Sequence, residues 1–184
     1  RRWLSLKGVL KMSETKTNPI ATRFQRDNIH TIGLLVANKP GVLLRICLVF
    51  SRRGFNIEAL VVSPAFDGRY SRMSITAEGD RATLDQIIKQ CNKLIDVVDA
   101  SEYDETTSFE REFAMVKIKI EANKRVEILQ LIQHFNAETI DLSEAFVIFQ
   151  VVGHTEHLNK CIAMFEPFGI LEMVRSGKMV ISST

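Results

Sequence analysis

The hydrophobic residues of this chain change their spacing in a fixed order, and that order occurs twice. Residues 31–36 form a short apolar run with strand character, and the segment Asn38-Lys39-Pro40-Gly41 interrupts it. Four apolar residues follow at the i, i+3, i+4, i+7 spacing of an amphipathic helix: Leu43, Ile46, Cys47 and Phe50. Gly54 stands where a helix C-cap is expected. A strand, a turn and a helix are therefore predicted in succession.

Two further strands, a helix and a fourth strand complete this first unit. Residues 57–62 and 72–77 have strand character, and residues 66–68 supply the turn between them. Asp80 is a plausible N-cap for a helix whose apolar stripe continues to Ile95. Residues 97–103 can form the fourth strand. The order βαββαβ is that of the ferredoxin-like split βαβ fold.

Residues 113–184 repeat this order without obvious sequence identity to the first unit. The pattern predicts an α+β protein of two ferredoxin-like domains, each an antiparallel sheet with helices on one face. The predicted boundaries are a polar, basic N-terminal tail at residues 1–28, a first domain at 29–104, a linker at 105–112 and a second domain at 113–184. In the second domain, residues 145–152 are apolar on both faces and predict a central strand.

Charge and composition exclude several classes of protein. The formal net charge is +2, and the positive excess lies in the tail, so no basic field indicates nucleic acid or an anionic membrane. No run approaches the roughly 18 apolar residues of a membrane span. The three cysteines are widely spaced and lie in apolar helical patterns, which is typical of buried, reduced thiols. We therefore expect a cytoplasmic protein.

The sequence contains no recognisable catalytic motif. A nucleophile elbow, a P-loop and a dinucleotide fingerprint are all absent. His154 and His157 place two imidazoles three residues apart, but a third metal ligand is missing. The favoured interpretation is a polar loop in which Thr155 caps the last helix, and a metal-dependent enzyme is the alternative.

The strand-to-helix loop is the most informative place in the chain. Pro40 fixes the backbone, and Gly41 allows another group to approach it closely. The first N–H groups of the following helix are unpaired and suit a small carboxylate. The amide oxygen of Asn38 can accept a hydrogen bond from an ammonium group. The residues alone leave two interpretations open: a free amino acid binds here, or Asn38 caps the helix and Pro40-Gly41 only turns the chain.

The strand at residues 57–62 predicts self-association. In a βαββαβ sheet it is an outer strand, yet it is apolar on both faces. An exposed edge of this kind favours pairing with another chain. We therefore expect edge-to-edge dimerisation, with one sheet continuing across two chains.

Several longer segments resemble the regulatory small subunits of acetolactate synthase. They are residues 37–43 (Ala-Asn-Lys-Pro-Gly-Val-Leu), 50–58 (Phe-Ser-Arg-Arg-Gly-Phe-Asn-Ile-Glu) and 71–75 (Ser-Arg-Met-Ser-Ile). Shorter matches continue through residues 86–90, 93–97, 110–112, 115–117 and 174–177. The resemblance covers nearly all of the chain after the tail, and the first domain resembles the ACT domain of that family.

The resemblance implies a regulatory role. Members of this family have no active site; they bind and activate the catalytic subunit and confer feedback inhibition by valine, or by another branched-chain amino acid. The effector lies between two ACT domains, and the matching residues here are Asn38, Pro40, Gly41, Val42 and Leu43, with Asn56 and Ile57 supplied by the partner chain. No cofactor or metal is expected in this chain; thiamine diphosphate, Mg and FAD belong to the catalytic subunit. An ACT protein that senses an amino acid for another partner is the alternative.

Overall fold

The fold is described from a computed structural model of residues 28–104 and 106–183, so the predicted tail lies outside the described residues except for Asn28. The helices are α1 (Val42–Arg52), α2 (Arg81–Cys91), α3 (Arg125–His134) and α4 (Thr155–Phe165). The strands are β1 (Ile29–Ala37), β2 (Asn56–Pro64), β3 (Tyr70–Glu78), β4 (Val97–Glu102), β5 (Ser108–Lys119), β6 (Glu138–Leu142), β7 (Phe146–Gly153), β8 (Ile170–Arg175) and β9 (Met179–Ser182). The predicted α+β class with two βαββαβ units is confirmed.

The first unit is an antiparallel sheet with its helices packed on one face. Its strand order is β2-β3-β1-β4. Alternate residues of β1 and β3 point toward α1 and α2, because successive side chains of a strand face opposite sides. The core contains Ile32, Leu34, Val36, Ile46, Phe50, Met73, Ile75, Leu84 and Ile87. At the start of α2, the Thr83 backbone N–H donates to the Asp80 carboxylate at 2.9 Å, which confirms Asp80 as the N-cap.

Strand β2 is an outer strand of this sheet, as the βαββαβ order predicts. It pairs with β3 and has no other neighbour among the described strands. The register with β3 shifts between Ile57 and Ala59, which marks a β-bulge. After the bulge, Leu60 and Val62 lie on the helix side of the sheet and Ala59 and Val61 on the open side, since Leu60 pairs with the core residue Ile75. The apolar character of both faces is therefore real.

The second unit repeats the arrangement with the strand order β6-β7-β5-β8. Strand β7 is central, as predicted, and its buried residues pack with those of β5 against α3 and α4. The predicted linker at 105–112 differs from the structure, because β5 begins at Ser108. Residues 108–111 pair with β9, and this pairing makes the segment extended. The polar composition of the segment does not reveal the distant strand with which it pairs.

The two units contact each other through the ribbon formed by β9 and the first half of β5. The Tyr103 ring packs over Gly33 on the open face of the first sheet, and the Tyr103 hydroxyl donates to the Val180 carbonyl at 3.4 Å. The turn between β8 and β9 places Gly177 against the side chain of Ala59. The open face of the first sheet is thus partly covered by the second unit.

Within residues 28–104 and 106–183, no helix combines the length and apolar character that crossing a bilayer requires.

Core packing in the second unit yields a direct test of the fold. Ile162 of α4 is 1% exposed, whereas Met164 on the same helix is 49% exposed. We expect Ile162→Ala to lower the free energy of unfolding by about 2–5 kcal/mol, because it leaves a cavity among packed side chains. Met164→Ala, the control, should change it by less than about 0.5 kcal/mol. Urea titrations followed by circular dichroism measure both; equal effects would contradict this packing.

Candidate functional site

The loop between β1 and α1 presents unpaired backbone donors to solvent. Gly41 is the N-cap of α1, with a φ of 84° and no side-chain cap. The Arg45 N–H donates to the Gly41 carbonyl at 3.1 Å, but the Leu43 and Leu44 N–H groups have no acceptor among the described residues. A side chain added at Gly41 would meet only the Arg45 guanidinium, 3.4 Å from its Cβ. The space in front of these donors is therefore open to a small ligand.

Electrostatics favour an anionic group at this loop. The helix dipole places partial positive charge at the N-terminus of α1. The Arg45 guanidinium lies one turn into the helix, beside Gly41, and is paired with the Asp96 carboxylate. We did not identify Arg45 or Asp96 from the sequence, although the four-residue spacing from Gly41 places Arg45 on the same helix face as the loop. A carboxylate is the group that best matches this arrangement.

Asn38 does not cap α1, so the capping role considered for it is wrong. Its side-chain Nδ2 donates to the Gly68 carbonyl at 3.0 Å, which ties the loop to the β2–β3 turn. Its backbone N–H donates to the Arg69 carbonyl at 2.9 Å. Its amide oxygen has no partner among the described residues, and it can therefore accept a hydrogen bond from an ammonium group.

The apolar residues after Gly41 divide between core and surface. Val42 is buried in the core of the first unit, whereas Leu43 is partly exposed beside the loop. Pro40 is exposed at the tip of the turn. Of the predicted residues at 38–43, Pro40 and Leu43 are the apolar side chains exposed to a ligand at this loop.

Asn56 and Ile57 lie at the other end of the same sheet. Asn56 pairs with Glu78, which pairs with Ile29 at the start of β1, whereas the loop follows the end of β1. Eight residue steps along β1 separate these ends, roughly 27 Å for an antiparallel strand. Within one chain, the structure does not bring Asn56 and Ile57 to the residues at 38–43.

A shallow cavity of about 470 Å³ lies beside Asn56 and Ile57, between the end of α1 and the start of β2. Its wall includes Cys47 and Phe50 of α1. The Asn56 side chain donates to the Glu58 carboxylate across the β-bulge. This end of β2 therefore borders a pocket whose wall contains both apolar and polar side chains.

Strand β2 has an unpaired outer edge within the described sheet, and α1 has exposed apolar side chains. Leu44 and Leu48 are four residues apart on α1, and both are exposed. Val62 at the far end of β2 is exposed as well. A long edge strand beside exposed leucines is typical of a surface that another protein covers.

His154 and His157 each form a hydrogen bond to another part of the second unit. The Arg111 guanidinium donates to Nε2 of His154 at 2.9 Å, and His157 Nε2 donates to the Phe135 carbonyl at 3.2 Å. Among residues 28–104 and 106–183, no group of three or more His, Cys, Asp or Glu side chains is placed to hold a metal ion. The two imidazoles therefore have separate partners.

Thr155 is the first residue of α4 rather than its cap, so the predicted capping role is wrong. The N-cap is His154, which makes no side-chain cap bond. The Thr155 hydroxyl instead donates to the buried Glu112 carboxylate at 2.7 Å. Glu112 also pairs with the buried Arg175, and the carboxylate attracts the hydroxyl more strongly than a backbone amide does.

Comparison with protein families finds matches over nearly all of the described chain. Residues 32–99 match the family described as the AHAS small subunit-like ACT domain. Residues 111–184 match the family described as the small subunit of acetolactate synthase.

Individual proteins give the same result. A probable acetolactate synthase small subunit from Archaeoglobus fulgidus is 41% identical over 152 residues, which are 83% of this chain and 95% of the relative. An acetolactate synthase small subunit from Mycobacterium bovis is 39% identical over 153 residues, 83% of this chain and 91% of the relative. The crystal structure of an acetolactate synthase small subunit from Thermotoga maritima superimposes with a TM-score of 0.75 at 33% identity, covering 84% of this chain and 96% of that one.

The thiols provide a probe of the α1 surface. Burial raises the pKa of Cys91 to about 11 and of Cys161 to about 12, whereas Cys47 is partly exposed. Because the thiolate is the reactive form, we expect iodoacetamide at pH 8 to modify Cys47 first, and Cys91 and Cys161 only as the chain unfolds. Peptide mass spectrometry after brief labelling measures the order. In denaturant all three should react at similar rates; early modification of Cys91 or Cys161 in the folded protein would contradict the structure.

Proposed function

The chain belongs to the family of acetolactate synthase small subunits, and on that basis we propose that it activates the catalytic subunit and confers feedback inhibition by valine or another branched-chain amino acid. The chain is then a non-catalytic, cytoplasmic subunit that contains no cofactor. Thiamine diphosphate, Mg and FAD belong to the catalytic partner in this proposal. The effector binds between the ACT units of two chains.

The observation that carries the effector proposal is the open N-terminus of α1. A free amino acid has one carboxylate and one ammonium group beside its side chain. The Leu43 and Leu44 N–H groups, assisted by Arg45, suit the carboxylate. The unpartnered oxygen of Asn38 suits the ammonium group. Leu43 provides apolar contact for a branched side chain.

Dimerisation accounts for the distance between the two halves of the proposed site. If two copies of β2 pair in antiparallel fashion, the Asn56 end of one copy lies beside the Pro64 end of the other. Pro64 pairs with Ser71, next to Tyr70, the strand partner of Ala37, so it lies at the loop end of the sheet. Asn56 and Ile57 of one chain then lie at the same end of the double sheet as Asn38 and Gly41 of the other. The exposed leucines of α1 become buried in the same step.

Substitution at the proposed interface tests the dimer. Leu44 on α1 is 64% exposed, and Val126 on α3 is 68% exposed. We expect Leu44→Glu to shift the protein from dimer to monomer at micromolar concentration, because two carboxylates would be desolvated at the interface. Val126→Glu, the control of equal exposure, should leave the mass unchanged. Sedimentation velocity or light scattering gives the mass, and a Leu44→Glu variant that remains dimeric would refute this interface.

Substitution of Gly41 tests the effector site. We expect Gly41→Asp to raise the valine concentration for half-inhibition about 10- to 100-fold. This is the size expected when a charge-assisted hydrogen bond to the effector carboxylate is lost and the new carboxylate repels it. Activation of the catalytic subunit should remain. Gly41→Asn is the matched control: it has the same shape, tolerates a positive φ to a similar degree and lacks the charge, so its effect should be smaller.

The assay combines the purified chain with the acetolactate synthase catalytic subunit and measures acetolactate formation with and without valine, leucine or isoleucine. Equal valine responses of the wild type and Gly41→Asp would rule out this site. No change in activity on mixing, together with effector binding by calorimetry, would indicate instead an ACT protein that senses an amino acid for another partner.

A further inference from the structure

We infer that Gly177 of the second unit is a positioning residue for the proposed effector site, because it holds the strand that carries Asn56 and Ile57. The inference rests on the proposed function, which it extends by naming how the second unit takes part in the response. The second unit is then a support that keeps β2 in its effector-binding form.

The contact itself joins the two units at one point of β2. Gly177 is buried in the turn between β8 and β9, with a φ of 81°. A methyl group on Gly177 would overlap the Ala59 side chain, and it would also reach Cγ2 of Val61 at 4.0 Å. The absence of a side chain at Gly177 is therefore what allows this turn to lie directly on β2.

The turn that carries Gly177 is firmly attached to the second unit. The Ser176 N–H donates to the Phe113 carbonyl at 2.9 Å, and the Ser176 hydroxyl accepts from the Phe113 N–H at 3.0 Å. On the other side, Lys178 Nζ lies 2.7 Å from the Glu110 carboxylate, and both side chains are largely shielded from water. Both anchors are on β5. The position of Gly177 is thus determined by the sheet of the second unit, and the contact transmits that position to β2.

Gly177 contacts β2 immediately after its β-bulge. The register shift lies between Ile57 and Ala59, and Ala59 is the first paired residue beyond it. A bulge bends a strand and redirects the side chains beside it. With Ala59 held on one side, the direction in which Asn56 and Ile57 leave the bulge is restricted. Within one chain β2 is hydrogen-bonded to β3 alone, so without the Gly177 contact nothing else in the described residues supports the open side of the strand at its bulge.

The strand partner of Ala59 shows that this part of the open face is shielded from water. Thr76 pairs with Ala59 and lies on the same open face of the sheet. Thr76 is buried, and its hydroxyl has no hydrogen-bond partner among the described residues. Burial of an unpaired hydroxyl is unfavourable, so other contacts on this face must compensate for it. The packing of Gly177 and Tyr103 supplies such contacts.

A ligand shifts an equilibrium only by its different affinity for the two states. If Gly177 holds β2 in the form that binds the effector, loss of the contact between Gly177 and Ala59 lowers the fraction of effector sites in that form. The apparent affinity of the protein for the effector then falls in proportion to that fraction. Binding of the catalytic subunit does not depend on the bulge in this scheme. Loss of the contact should therefore weaken inhibition by the effector and leave activation of the catalytic subunit unchanged.

The test compares two glycines of the second unit that both have a positive φ. Gly177→Ala adds a methyl group at a φ of 81° that collides with β2, whereas Gly169→Ala adds one at a φ of 87° with no atom within 4 Å. Both variants place alanine at a positive φ, and only Gly177→Ala adds a collision with another strand. With the complete chain and the catalytic subunit, we expect Gly177→Ala to raise the valine concentration for half-inhibition at least about 10-fold. Activation should stay within about 2-fold, and Gly169→Ala should match the wild type in both.

Ala59→Val makes the same collision from the other side without any strained backbone, and valine is a favourable strand residue. It should reproduce the raised valine concentration, which keeps the test valid if Gly177→Ala does not fold. A wild-type valine response in Ala59→Val, or an equal loss in Gly169→Ala, would overturn the inference alone. A wild-type chain that responds to no branched-chain amino acid would overturn the proposed function, and the inference with it.

Discussion

Strand β2 has one hydrogen-bonded neighbour in the described sheet. The proposed dimer and the proposed effector site both depend on what contacts the two faces and the outer edge of this strand. Its helix side packs under α1, its open side is touched by Gly177, and its outer edge is unpaired. A nine-residue edge strand with apolar faces is an unstable arrangement for a chain in isolation. In the proposed dimer, pairing of that edge with a second copy would satisfy its backbone groups and join the two halves of the effector site.

The two sheets treat their edges differently. Strand β6 occupies in the second sheet the position that β2 occupies in the first. It has only five residues, all of them exposed, and its Glu138 and Asp141 side chains are carboxylates. Short length and charge are common means by which proteins prevent edge pairing. The same topology therefore supports two roles: the first unit has an edge suited to association, and the second has an edge suited to solvent.

The second unit contains a buried ion pair that joins one of its helices to two of its strands. Glu112 and Arg175 form an ion pair with almost no exposure, joined by the Thr155 hydroxyl and the Asn159 amide oxygen. These residues come from β5, β8 and α4, so the network holds a helix to two strands. A buried charge without its partner is costly, which makes the arrangement specific to one packing. The turn at Gly177 follows Arg175 directly, so this network restricts the position of the turn.

The sequence by itself determined the order of strands and helices, the outer position of β2 and the N-cap at Asp80, because hydrophobic period and capping chemistry are local properties. It also identified the loop at Asn38 and Gly41, since Pro and Gly at a strand-to-helix junction act within a few residues. Tertiary structure decided the partners of side chains: Asn38 binds the Gly68 carbonyl, Thr155 binds Glu112, and Arg45 lies beside Gly41. It also decided that β9 pairs with residues 108–111 and that Gly177 lies on Ala59. These contacts join residues far apart in the chain, and a local pattern holds no information on which distant group will satisfy a polar atom or fill the space beside a glycine.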